Sequence, residues 1–162
     1  MAFLEHGTRR LHITGVTAHP TGEWAAQQAH NLAADLGTRM ESLRFVLRDR
    51  DTKSFDAVFQ AEGMDVLLSA PRAPRMNAHC KRIIRTIRRE ALGHILIANE
   101  AHARRVLTEY QDHYNGHRPH QARAQRPPTS AEQPTTIEDL KSRRLLRTRR
   151  LGGTINEYRY VA

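Results

Sequence analysis

The chain has 162 residues, 39% of them hydrophobic and 6% aromatic, with a formal net charge of +9 and a pI near 10.7; the length suits one ordinary globular domain, and the charge points to an acidic partner, nucleic acid before any other. A single cysteine, Cys80, excludes an internal disulfide and has no CxxC or zinc-finger context, which points to a reducing compartment. No apolar run reaches the ~18 residues of a membrane span and the N-terminus lacks a signal peptide's charged-then-apolar order, so a cytoplasmic protein away from membranes is expected.

Phe3 and Leu4 read as the tail of a strand, Gly7-Thr8 as a turn, and Leu11 and Ile13 as one face of the returning strand. Thr21, after Pro20, predicts a helix cap. Trp24, Ala25, Gln28, Leu32 and Leu36 then recur at helical spacing until Gly37 ends the run. Leu43–Leu47 predicts a strand running into Arg48, Asp49, Arg50 and Asp51. Residues 54–63 predict a short helix with Phe55, Val58 and Phe59 on one face. Val66, Leu67 and Leu68 predict a buried-type strand, stopped by Pro71 and Pro74.

The strongest helical pattern covers residues 77–92. Ile83, Ile84, Ile87 and Leu92 make its apolar stripe, and Lys81, Arg82, Arg85, Arg88 and Arg89 cover the rest. A helix over 100–114 turns Ala103, Val106, Leu107 and Tyr110 inward, and after Asn115-Gly116 the pattern dissolves. Composition divides the chain into a core at 1–122, a Pro/Thr/Gln-rich linker at 123–137 and a basic tail at 138–162. In the tail, Arg143, Arg144, Arg147, Arg149 and Arg150 keep some helical spacing and are expected to order on meeting DNA. The alternation of strands and helices predicts an α/β domain whose mixed sheet sets an antiparallel hairpin beside strands joined by helical crossovers.

HITGVTAHPTGEWAAQQAHNL at 12–32, VLRDRD at 46–51, APRAPRMNAHCKR at 70–82, EYQDHYNGHRPHQ at 109–121, QRPP at 125–128 and LGGTINEY at 151–158 together resemble the integrase core of insertion-sequence transposases. The resemblance spans almost the whole chain in order, and HYNGHRPH followed by QRPP is its most specific part. It implies an RNase H-like mixed sheet with flanking helices. It also implies a DDE chemistry in which two Asp and a Glu hold two Mg²⁺ ions for DNA strand transfer.

By that resemblance Asp49 is the second Asp, a vestigial catalytic and metal-binding position. Asp51 is its nearby alternative, better read as a turn residue. The Glu position falls on Lys81. The first Asp, and the central first strand that carries it, have no counterpart here. The offset from Asp49 to Lys81 is short of the family pattern by about three residues, close to one helical turn. An ammonium has no lone pair to give and Mg²⁺ takes oxygen ligands. The expectation is therefore no strand transfer, no bound Mg²⁺, and a salt bridge from Lys81 to Asp49 where metal would sit.

Lys81, Arg85 and Arg88 share a helix face, which Arg82 and Arg89 extend. With Arg118 they are the candidate contacts to DNA phosphates. Asn77 and His79 stand at the helix start, beside either substrate or the former Glu position. His113, His117 and His120 have metal-like spacing, but Asn115-Gly116 and Pro119 interrupt them and no carboxylate or cysteine accompanies them, so a packing and turn segment is expected. Cys80 has no matching base and is not expected to act as a nucleophile. The function expected is that of an integrase or transposase core-like protein without activity. The alternatives are a non-catalytic DNA-binding protein that interferes with or joins an intact transposase subunit, and a gene remnant with no activity.

Overall fold

Short-range apolar alternation makes the first element pair: β1 (Ala2–Leu4) pairs with β2 (Leu11–Ile13), and Glu5 N–H donates to the Arg10 carbonyl at 2.9 Å. The computed structural model describes residues 1–49, 53–70, 72–73, 75–130 and 144–161. Arg50, Asp51, Pro71, Pro74, Arg143 and the rest of 131–143 lie outside the described residues. The chain divides into two compact units: Met1–Phe3 with His12–Ile83, and Leu4–Leu11 with Ile84–Ala162.

In the first unit, α1 (Gly22–Leu36) starts where Thr21 Oγ1 accepts from Trp24 N–H at 3.1 Å. It ends at Gly37, whose φ of +52° and ψ of −131° suit glycine almost alone. A 3₁₀ turn (Gly37–Ser42) follows, pinned by the buried Met40. The chain is extended from Leu43, and the paired strand β3 is Phe45–Arg48. α2 (Lys53–Ala61) buries Phe55, Val58 and Phe59 in one cluster with Ala29, Leu32 and Leu36 of α1. The chain then returns as β4 (Asp65–Leu68), parallel to β3, with Val46 opposite Val66.

Two expectations are corrected here. β4 is not a buried strand: Leu67 and Leu68 are 43% and 48% exposed, and Phe45 of β3 is 53% exposed. Among the described residues the β3-β4 sheet has two strands, and Val46 and Val66 pack against the helical core. Nor do the described strands share one mixed sheet; they form three two-stranded sheets, β1-β2, β3-β4 and β5-β6. The first hairpin meets this unit's core through a ring instead of a ladder. Phe3 stacks on Phe55 at 6.0 Å and lies edge-on to Phe59 at 6.2 Å. The α/β class itself stands.

α3 (Ala78–Ile87) crosses from the first unit to the second and continues into a π turn (Arg88–Leu92). Its inward row is Ile83, Ile87 and Ala91, while Ile84 is 46% exposed. This i, i+4 row corrects the expected stripe: its side of the helix is narrower than the four-residue stripe and leaves Ile84 out. α4 (Glu100–Gly116) is capped by Asn99 Oδ1, which accepts from His102 N–H at 2.8 Å. It buries Ala103, Val106, Tyr110 and Tyr114.

The end of α4 organises its neighbours through Asn115. Its buried side chain accepts from Leu11 N–H at 2.9 Å and donates to Leu11 C=O at 2.8 Å. Its carbonyl accepts from Thr129 N–H and Oγ1. Thr129, in the stretch 123–137 that composition reads as linker, is thus hydrogen-bonded to the end of α4. The preceding residues hold a 3₁₀ turn at Gln121–Arg123 and a bridge between His120 and Arg126.

The described part of the basic tail is extended instead of helical. β5 (Arg144–Arg150) pairs antiparallel with β6 (Ile155–Val161). The reversal uses Leu151, Gly152 and Gly153 at φ of +50°, +64° and +98°. Two adjacent glycines make such a left-handed run accessible.

Candidate functional site

Asp49 lies at the end of β3 and is exposed. The residue of α3 whose titration it affects is Cys80. Burial first, and then the Asp49 charge, push the Cys80 thiol above its ordinary value. The thiol therefore stays protonated near neutral pH, as expected of a non-nucleophilic cysteine. Among the described residues no ion pair joins Lys81 to Asp49, which corrects the expected salt bridge. Successive helical residues are turned by about 100° from one another. Lys81, the next residue round the helix from Cys80, is exposed.

The strand end next to Asp49 is already occupied. Arg48 makes a two-pronged hydrogen bond to the Asp56 carboxylate of α2 and donates to the Asp49 carbonyl at 2.8 Å. Among the described residues, one exposed carboxylate with a neutral thiol and a paired guanidinium is a poor donor set for Mg²⁺, which needs several oxygens. No group of three or more His, Cys, Asp or Glu suited to a metal occurs among the described residues. The described residues here do not fit the Mg²⁺ site that the integrase resemblance implies.

The basic face of α3 is assembled as its periodicity predicts. Lys81, Arg82, Arg85, Arg88 and Arg89 are all exposed, opposite the buried Ile83 and Ile87. Among the described residues only Arg89 of these five meets a carboxylate, Glu90 at 3.5 Å. Arg118 is differently placed. It donates to Glu90 from Nε at 3.2 Å and Nη2 at 2.9 Å, and its guanidinium lies 5.5 Å from the centre of the Tyr114 ring.

Sequence reasoning missed Glu90 as the centre of a network, although it is the single acid between 77 and 99. Burial works to raise its carboxyl, but the hydrogen bonds from Arg118 and Tyr110 outweigh it and hold the pKa below the ordinary value. Tyr110 donates at 2.8 Å; burial and then the Glu90 bond push its phenol upward. His120 stands edge-on to Tyr114 at 4.9 Å. Burial, with the Arg118 charge next, pushes it down to about 4.

The three histidines also divide differently from expectation, because a carboxylate does accompany two of them. Glu157 of β6, only 6% exposed, has Oε1 3.0 Å from His113 Nδ1 and Oε2 3.4 Å from His117 Nε2. The two rings stack at 6.3 Å. Arg150 Nε lies 3.0 Å from the same carboxylate. Burial opposes ionisation of Glu157, yet the bonds from Arg150 and His113 leave its pKa lowered. A cation already seated on that carboxylate makes this an ion-pair cluster that ties β6 to α4.

Residues 62–128, from the end of α2 through α4 to Pro128, match the integrase core domain family. No curated protein and no solved structure matches the chain. Among the described residues no helix is long and apolar enough to cross a membrane. The HYNGHRPH and QRPP segments lie inside the matched stretch, so residues 62–128 are similar to the integrase core domain family.

Proposed function

We propose that this protein is an integrase or transposase core-like DNA-binding protein that grips the phosphate backbone with α3 and performs no strand transfer. The observation that carries the reading is the exposed row Lys81, Arg82, Arg85, Arg88 and Arg89 on a helix of the integrase core stretch. Four of these have no carboxylate partner among the described residues. Lys81, at the position where the resemblance puts the Glu, belongs to this row as a cation. Among the described residues Asp49 has no second carboxylate partner, and Arg118 serves Glu90 instead of DNA.

Five phosphate contacts give a salt slope of about −4.5 for duplex DNA. Anisotropy of a labelled 20-base-pair duplex, titrated across a salt series, is the test. Arg85→Ala with Arg88→Ala should flatten the slope by about 2, roughly one unit per cation; an unchanged slope would sink the assignment. The same samples with Mg²⁺ should show no cleavage, and Lys81→Glu alone should not create it.

The exposed Phe45, Leu67 and Leu68 on the β3–β4 pair favour a second use, association with an intact transposase subunit. Co-expression followed by size-exclusion chromatography tests it, and Phe45→Ser with Leu67→Ser should abolish co-elution.

A further inference from the structure

The β5–β6 register places Leu145 opposite Tyr160, Arg147 opposite Tyr158 and Arg149 opposite Asn156. Directly opposed residues of an antiparallel pair share a face, and alternation puts all three pairs on the same one. All six residues are exposed, with Tyr158 at 57%, Tyr160 at 46% and Leu145 at 53%. The other face holds Glu157 among its neighbours, turned onto His113 and Arg150. Glu157 is the single acid of residues 144–161. The outer face therefore carries two rings, two cations, one amide and one leucine, with no carboxylate.

We propose that this outer face binds single-stranded nucleic acid, with Tyr158 and Tyr160 stacking two successive bases and Arg147 and Arg149 meeting the phosphates. Two residues along a strand put the tyrosines about 7 Å apart at ~3.4 Å per residue. That leaves each ring open to its own base on an extended strand. Bases inside a duplex are stacked on each other and offer these rings little. Charge selects the occupant: a second copy of the chain would set the same arginines against each other. An apolar protein partner would find Leu145 as the sole aliphatic side chain among these six residues. The inference draws on the hairpin alone, and holds or fails separately from the α3 reading.

The test uses the full chain with labelled dT12, rU12 and a 12-base-pair duplex, followed by anisotropy. Tyr158→Ala with Tyr160→Ala should weaken both single strands by at least tenfold, from about fivefold or more per ring, and change duplex affinity by less than about twofold. Tyr158→Phe with Tyr160→Phe should retain binding. Binding to both single strands that tracks the rings identifies the stacking chemistry they share; tracking on dT12 or rU12 alone identifies DNA or RNA as the source. Arg85→Ala with Arg88→Ala should weaken the duplex and leave the ring dependence of dT12 in place. Independently of any variant's folding, dT12 carrying 5-iododeoxyuridine should crosslink the wild-type chain at Tyr158 or Tyr160. The proposal is overturned by crosslinks confined to other residues, by equal dT12 and rU12 affinity with and without the rings, or by equal losses on single strand and duplex. A wild-type dimer that the alanine pair dissolves would also overturn it, by making a second copy the occupant.

Discussion

Glu90, Asn115 and His120 carry the sharpest consequences of single side chains. Glu90→Gln removes the charge from the hydrogen bonds that Tyr110 and Arg118 make. It should cost about 1–3 kcal/mol at pH 7 in urea unfolding. Because its folded pKa is depressed, Glu90 contributes stability that is complete above its unfolded value, about 4.3. The gap between wild type and variant should therefore close as pH falls through the depressed value. His120 makes a different pH signature. Its folded pKa of about 4 lies below the unfolded 6.5, so the unfolded state binds the extra proton between them. Stability should fall as pH drops from 6.5 toward 4, and His120→Phe, which keeps a ring against Tyr114, should flatten that window in a stability–pH profile. Asn115→Ala leaves the Leu11 N–H and C=O without their buried partners and should cost at least about 2 kcal/mol. None of these partnerships is legible along the chain, since Asn115 meets Leu11 across 104 positions.

At the scale of elements, local signals were read well where one residue controls an end. Thr21 caps α1 and Gly37 stops it, and Gly37→Ala should cost about 1–2 kcal/mol in thermal unfolding because an alanine is strained at that φ and ψ. Periodicity likewise located α2, α3 and α4 and their main inward residues. It failed at β4, where an apolar run reads the same whether a third strand covers it or not. It failed again at β5, where arginines at mixed spacings fit a helix as readily as a strand. The Leu151-Gly152-Gly153 reversal was the available signal, since a tight turn flanked by alternating residues predicts a hairpin.

For the whole molecule, a net charge of +9 makes stability and nucleic-acid binding one linked quantity. Duplex DNA at about 100 times its dissociation constant should raise stability by about 2.7 kcal/mol if it binds only the folded chain. Far-UV circular dichroism melts should show that shift at low salt and lose it near 1 M salt, where the screening length is about 3 Å. A melt unmoved by DNA would count against the α3 row as a binding face. The sequence by itself determined the sign of the charge, the integrase core resemblance, the lysine at position 81 and most helix positions. Those depend on composition, capping and spacing within a few turns. Only the tertiary structure decided that no ion pair joins Lys81 to Asp49 among the described residues, that Arg118 is held by Glu90, that the described strands form three separate pairs, and that Glu157 turns inward while Tyr158 and Tyr160 turn out. Helix phase rotates by about 100° per residue and strand facing reverses at every residue. Which side chains meet is therefore set by long-range packing and register that no local pattern contains.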